Sequence, residues 1–365
     1  GRAAVSTLNY RQPFALEPNR VWRSWKGGAV LDRLAGAAEP QDGYFPEDWV
    51  GSMTRAINAG REGIVEGIGT ARTGDGQIVS MERVFTEDPV AAMGAAHVAA
   101  YGPQPQLLVK LLDSSMRLQI QAHPSAAWAQ KHLNSPNGKT EAWWILATRQ
   151  AKAWVYFGFQ RPPVPAAWKR IVREQDAGAM LACFDRVPVK PGDVLLVAGG
   201  VPHAIGPGLL MVEVQEPTDW VVRCEFAHGG LTSDERAQTM GLGLDAVGDL
   251  FDYTPCAAAD VHRRFGPRPR RLGGAPGGTE TVLLGADQTD RLELRRIETT
   301  GKGPFPIALD GRFSVLIVLD GTGGLAAAGG TLDLKPFSRV FLPAAVGSAT
   351  LQGQMTIARC MPPKA

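Results

Sequence analysis

Short apolar bursts separated by Gly and Pro run through most of this chain. Leu107–Leu112, Leu118–His123, Glu141–Leu146 and Ala153–Phe159 are followed by Val194–Ala198, Leu209–Gln215 and Trp220–Phe226. Each has the length and composition of a strand. Longer stretches that suit helices interrupt them at Ala126–Leu133, Ala166–Ala182 and Ser233–Phe251. A Pro/Arg/Gly-rich stretch, Pro267 to Gly278, breaks the pattern, and a second β block follows. It contains Thr281–Leu284, Leu292–Glu298, Phe313–Asp320, Gly323–Ala327, Thr331–Leu334 and Arg339–Leu342. Many short strands with turn residues between them point to barrels or sandwiches rather than alternating α/β units.

The expected architecture is therefore mainly β: two jelly-roll β-barrels with a few helices packed around and between them. The expected division is 1–250 for the first unit, 251–278 for a linker and 279–365 for the second unit. No histidine occurs after His262, so the second block is expected to be structural. Changes at Asp310 or Arg339 in it are expected to leave turnover unaltered.

Composition narrows the function classes. With 365 residues and a net charge of +2, the chain lacks the concentrated basic stripe of a nucleic-acid binder. The one dense basic run, Arg263 to Arg271, is broken by Gly and Pro and reads as a solvated linker. The four cysteines form no CxxC pair, which argues against thiolate zinc and against a disulfide framework. No apolar run reaches membrane-spanning length and no signal-peptide pattern opens the sequence. A cytoplasmic location with no membrane or nucleic-acid partner is the expectation; the oligomeric state is open.

Three segments carry candidate chemistry. In Leu118–Pro124 the alternation places Gln119, Gln121 and His123 on one strand face. Buried polar groups need partners, so such a row facing a core requires a reason. Lys139 and Glu141 share a face of the next strand, and His203 lies in a Gly/Pro-rich turn. Two imidazoles, a carboxylate and an amide oxygen suit a divalent ion. Taken singly, each histidine reads equally as an ordinary core or surface residue.

The ordered runs QIQAHP, GKTEAWWIL, VPHAIGPGLL and VEVQEPTDWVVR resemble the successive motifs of the type I mannose-6-phosphate isomerases, a cupin family. The resemblance spans Trp22 to Phe226 and, more loosely, the second β block. It implies cupin barrels and one zinc ion held by Gln121, His123, Glu141 and His203. It also implies an active site lined by Lys110, Lys139, Asp219 and Arg223. The implied activity is interconversion of mannose 6-phosphate and fructose 6-phosphate through a cis-enediol(ate), with a small sugar phosphate as partner. His97, His132, His228 and His262 match no ligand position.

Several readings stay open beside it. Lys139, Glu141, a zinc-bound water and Lys110 all remain candidates for the base. Lys110 could be a solvated edge lysine, Lys139 a turn residue, and Asp219–Arg223 a structural ion pair. Ser114, Ser115, Ser125 and Arg117 lie near enough in sequence to be phosphate donors. Glu216 and Pro217 replace residues common in the family, which puts substrate preference in doubt. Alternatives in other classes are an isomerase for another sugar, a cupin oxygenase or epimerase, and a non-catalytic sugar-binding cupin.

Overall fold

The computed structural model describes residues 7–328 and 330–365. It is mainly β, with antiparallel sheets stacked in layers and short helices outside them. The first unit has two facing sheets. One has six strands in the order Val194–Val197, Glu141–Thr148, Leu209–Gln215, Leu108–Asp113, Glu47–Val50 and Arg20–Val21. The other has five: Val187–Pro188, Trp154–Phe157, His203–Ile205, Gln121–Ala122 and Val222–Arg223.

Strand alternation assigns each side chain to a layer. In the six-stranded sheet Ala142, Trp144, Val212 and Val214 face one core, while Trp143, Ile145 and Met211 face another. The second of these cores includes Val155, Phe157 and Ile205 of the five-stranded sheet, so it is the interior between the two sheets. On the far side of the five-stranded sheet, Ile120, Ala122 and Ala204 pack against helical residues Trp128, Trp168 and Val172.

The second β block curls around its own core, with Leu316, Val318, Ile357, Val340 and Leu342 inside. Val315, Ile317, Phe341 and Ala358, on the opposite face, join the core behind the six-stranded sheet. Its two longest strands are Ser314–Ala327 and Thr350–Met361. The first was expected as two pieces. The register shifts between Val318 and Asp320, and just beyond it Gly321 takes a positive φ of 83°, where a Cβ would lie 2.0 Å from the Gln354 carbonyl oxygen.

The structure departs from expectation elsewhere. Phe14–Leu16, Thr70–Arg72 and Ile78–Ser80 extend the sheet of the second block, although they lie in the stretch assigned to the first unit. Arg270–Ala275, in the expected linker, forms an exposed strand at the edge of that sheet. Ala166–Ala182 is two helices, Pro165–Arg173 and Ala177–Leu181, because Gln175 takes a left-handed φ of 51° and Asp176 caps the second. Ser233–Phe251 is mostly turns, with positive φ at Met240, Gly241 and Gly243, leaving the short helix Leu244–Val247. Ala126–Leu133 is helical as expected, with Ser125 accepting the Trp128 N–H at its start. No helix among the described residues is long and apolar enough to cross a membrane, and all four cysteines are free and buried.

Arg339 is not the surface residue expected. Its guanidinium lies 2.6 Å from Asp48 Oδ2, tying the second block to the Glu47–Val50 strand, and both side chains are largely shielded. Removing one partner of a shielded ion pair strands the other charge. Arg339→Ala is therefore expected to lower unfolding free energy by about 2–3 kcal/mol in urea denaturation. A change within about 0.5 kcal/mol would show that water replaces the pair without cost.

Candidate metal centre and active site

The candidate centre lies between the two facing sheets. His203 is directly opposite Gln121 on adjacent strands, and Gln121 is opposite Arg223, so the three stand in a row. His123 follows Gln121 by two residues and turns inward just beyond the strand end. From the other sheet Glu141, the first residue of its strand, points inward with Trp143. Backbones must pack tightly for this convergence. A Cβ on Gly138 would lie 2.2 Å from the Pro124 oxygen, and one on Gly199 would lie 2.5 Å from Ser125 Cα. Gly200 N–H also donates to the His123 carbonyl at 2.7 Å.

Backbone carbonyls set the histidine tautomers. His123 Nδ1 is 3.0 Å from the Trp220 oxygen and His203 Nδ1 is 2.8 Å from the Val201 oxygen. A carbonyl only accepts, so in the neutral rings each Nδ1 carries the proton and each Nε2 presents a lone pair. His123 Nε2 lies 2.9 Å from Glu141 Oε1, and His203 Nε2 lies 3.9 Å from Glu141 Oε2. His123 Nε2 is buried and lacks a well-oriented hydrogen-bond partner. Lone pairs crowded in this way repel unless a proton or a cation lies among them. The three residues bring their donor atoms within 4.8 Å of one another and could hold a metal ion. Glu141 is steadied by the Trp143 indole N–H, which donates to Oε2 at 3.1 Å. Gln121 donates its amide N–H to the Gln119 oxygen at 3.1 Å and keeps Oε1 unbonded among the described residues.

Electrostatics match this geometry. Burial, then the charge of Lys139, pushes His123 down to about 3, and burial likewise lowers His203. Burial alone would raise Glu141, but His123 and Lys139 outweigh it and hold the carboxyl well below its usual range. The donors are thus deprotonated at neutral pH, as a metal requires.

Around them lies a ring of buried charge. Lys110 Nζ sits 3.4 Å from Glu213 and 3.6 Å from Glu47, over the Trp49 ring. Burial opposes its charge, yet Glu47 and Glu213 raise its pKa above the usual lysine value. Burial and the Glu141 charge push Glu213 up to about 7. Lys139 Nζ is 3.2 Å from Glu141 Oε1, and burial together with Lys110 lowers its pKa. Lys110 is not the solvated edge lysine that one reading allowed, and Lys139, although in irregular backbone before the strand, is buried.

Asp219 and Arg223 do not form a pair. Asp219 takes two hydrogen bonds of 2.9 Å from Arg23 and a third, of 2.7 Å, from the Ile57 N–H. Burial would raise its pKa, but Arg23 holds it below the ordinary aspartate value. Only Val222–Arg223 of the expected Trp220–Phe226 strand is paired. The Glu225 carboxylate caps the Ile120 N–H at 2.8 Å, which likewise shortens the Leu118–His123 strand. Arg223 has no carboxylate within ion-pair distance among the described residues, and its Nε is an unpartnered buried donor. Burial and the nearby Arg23 lower its pKa to about 10. It lines a cleft of about 430 Å³ with Asn58, Asp219 and Trp220. A second cleft, about 490 Å³, opens on the other side of Asp219 and Trp220 toward Tyr101 and Asn137. Exposure is 1–2% at His123, Glu141 and His203 but 8–9% at Gln121 and Arg223, which marks the side open to solvent.

Sequence reasoning missed Arg23, Glu47 and Glu213. Glu213 had a signal: it interrupts the apolar strand Leu209–Gln215 as Lys110 interrupts its neighbour, and the two are directly opposite. Of the four candidate phosphate donors, Ser114, Ser125 and Arg117 have structural tasks. Ser114 Oγ donates to the Gly206 oxygen, Ser125 caps a helix, and Arg117 pairs with Glu225. Trp128, Trp143 and Trp144 are core residues. His97, His228 and His262 bond to backbone carbonyls and His132 stacks on Trp128, all away from the centre.

The family model "Mannose-6-phosphate isomerase, cupin domain" matches residues 300–362. The Bacillus subtilis (strain 168) protein named "Probable mannose-6-phosphate isomerase GmuF" is 26% identical over 247 residues, 68% of this chain and 72% of that protein. The mannose-6-phosphate isomerase of Streptococcus mutans is 30% identical over 189 residues, 50% of this chain and 58% of that protein. The chain is thus similar in sequence to mannose-6-phosphate isomerases over about two thirds of its length, and residues 300–362 match that family's cupin-domain model. The crystal structure of the mannose 6-phosphate isomerase from Bacillus subtilis superposes with a TM-score of 0.73 at 20% identity, covering 95% of this chain and 99% of that one. The two chains share the fold.

If the three donors hold a metal, deleting one imidazole should be felt directly. His203→Ala is expected to weaken divalent-metal binding at least about 100-fold by competition titration. Unchanged metal content in that variant would remove His203 from the ligand set.

Proposed function

We propose that this chain interconverts mannose 6-phosphate and fructose 6-phosphate, using one zinc ion held by Gln121, His123, Glu141 and His203. The observation that carries the reading is the buried His123–Glu141–His203 group, its lone pairs turned on one another beside a row ending at Arg223. When bound, zinc would supply Lewis acidity toward substrate oxygens at this centre. The donor set suits it, and the Gln121 oxygen offers a fourth ligand.

The chain's own residues account for the rest. Isomerisation moves a proton between C2 and C1 of the open sugar through a cis-enediolate, so negative charge develops on adjacent oxygens. Lys110, kept protonated by Glu47 and Glu213, is a cation with hydrogen-bond donors rather than a base. Arg23 is committed to Asp219 and Glu47, so it fixes the wall of the site and the Ile57 loop. Arg223 faces a cleft without a carboxylate partner and is the cation most free to meet an anionic substrate. The buried cations Arg23, Lys110, Lys139 and Arg223 are balanced by Glu47, Glu141, Glu213 and Asp219. A divalent ion added to that balance leaves excess positive charge, which favours a phosphorylated sugar over a neutral one.

A coupled isomerase assay with mannose 6-phosphate, free mannose and other sugar phosphates tests this. Activity should be highest with mannose 6-phosphate, vanish with a chelator and return with zinc; no turnover with mannose 6-phosphate at full zinc loading would overturn the reading. Arg223→Lys should lower kcat on the order of 100-fold with less effect on KM, because an ammonium cannot copy the planar fork. A raised KM with kcat held would instead assign Arg223 to anchoring the phosphate.

A further inference from the structure

We propose that Glu216 is a positioning residue for Lys139 and Glu141; this builds on the metal-dependent reading above. Glu216 follows the Leu209–Gln215 strand, is 1% exposed and lines neither cleft. Its Oε1 accepts the Gly138 N–H at 3.2 Å and its Oε2 accepts the Thr140 N–H at 2.8 Å. Its own N–H donates to the Thr140 oxygen at 3.2 Å. Two residues on, Thr218 Oγ1 donates to the Gly138 oxygen at 2.6 Å, and from the other side Lys139 N–H reaches the Pro124 oxygen at 3.0 Å. The backbone is therefore gripped on both sides of Lys139 just before Glu141.

The grip matters because this segment has no ladder of its own. The Glu141–Thr148 strand begins only at Glu141, and Gly138 packs too closely on Pro124 and Ser125 to carry a side chain. Without Glu216, two buried N–H groups flanking Lys139 would lack acceptors, and the backbone would move to find them. Lys139 Nζ and Glu141 Oε1, 3.2 Å apart, would move with it. A buried carboxylate is a costly way to accept two amides, and burial does raise the Glu216 pKa. Arg291, from the loop preceding the Glu293–Thr300 strand, offsets that cost with its guanidinium 3.7 Å from Oε1. The second β block thus reaches the segment that presents Lys139.

The experiment compares Glu216→Ala with Glu216→Gln, which keeps an acceptor oxygen. Zinc affinity is read by competition with a chromogenic chelator, thermal midpoint by circular dichroism, and kcat and KM by the coupled assay. Glu216→Ala should weaken zinc binding and lower kcat by about tenfold or more, with KM within about threefold. Glu216→Gln keeps one acceptor but turns an NH2 donor toward the other N–H, so it should recover only part of both. A folded Glu216→Ala protein with wild-type zinc affinity and kcat, whether or not its midpoint falls, overturns the proposal by making the residue merely structural. Should the alanine variant not fold, Glu216→Asp, one methylene too short for both amides, takes its place under the same criteria. If the wild type has no mannose 6-phosphate activity, the functional reading fails by itself, and zinc affinity alone still decides the role of Glu216.

Discussion

Unprotonated imidazole nitrogens and a carboxylate, held together inside a β-sandwich, are the constraint to which the rest of this structure answers. Left alone, His123 Nε2 and Glu141 Oε1 at 2.9 Å would push apart. They stay because each is braced from behind: the histidines by the Trp220 and Val201 carbonyls, Glu141 by the Trp143 indole. The braces come from loops on one sheet and a strand on the other, so the centre depends on the spacing between two layers. That spacing is set by large buried rings such as Trp143 and Phe157, which meet edge to face.

Charge forms a second tier around this constraint. Lys110 between two glutamates and Arg23 on Asp219 show how a low-dielectric interior tolerates ions: each is matched, and Trp49 lies against both cations. Arg223 is the exception, and the exception lies on the side that opens to a cleft. A mismatch of this kind is costly in a free protein and becomes favourable once an anion arrives.

Much of this was legible in the sequence, and the boundary has physical causes. Strand alternation drew attention to Gln121, His123 and Glu141, the order of the motifs added His203, and the structure brings His123, Glu141 and His203 together. The Leu209–Gln215 strand and the Ala126–Leu133 helix match their expected spans because apolar period and caps agree there. Arg23 was invisible because it pairs with Asp219 across 196 residues, and Glu47 because it meets Arg23 and Lys110 from separate segments, in a region with little periodic pattern. The Asp219–Arg223 spacing misled for the same reason: a sequence-local pair lost to a distant, better-aligned guanidinium. The strands at Phe14–Leu16 and Thr70–Arg72 carry no signal of the block they join.

Gly138 and Gly199 carry a consequence for variation. The backbone around Pro124 and Ser125 is pressed between them with no room for even one methyl group on either side. The segments bearing the metal-facing residues are thus locked as a single body, and mutational drift or redesign has nothing to adjust there. Diversity in what this scaffold accepts must come from the walls of the clefts, around Met53–Asn58, Ser135–Asn137 and Pro217–Trp220, where side chains reach open space. An immobile floor with adjustable walls lets a lineage explore new ligands without rebuilding its centre.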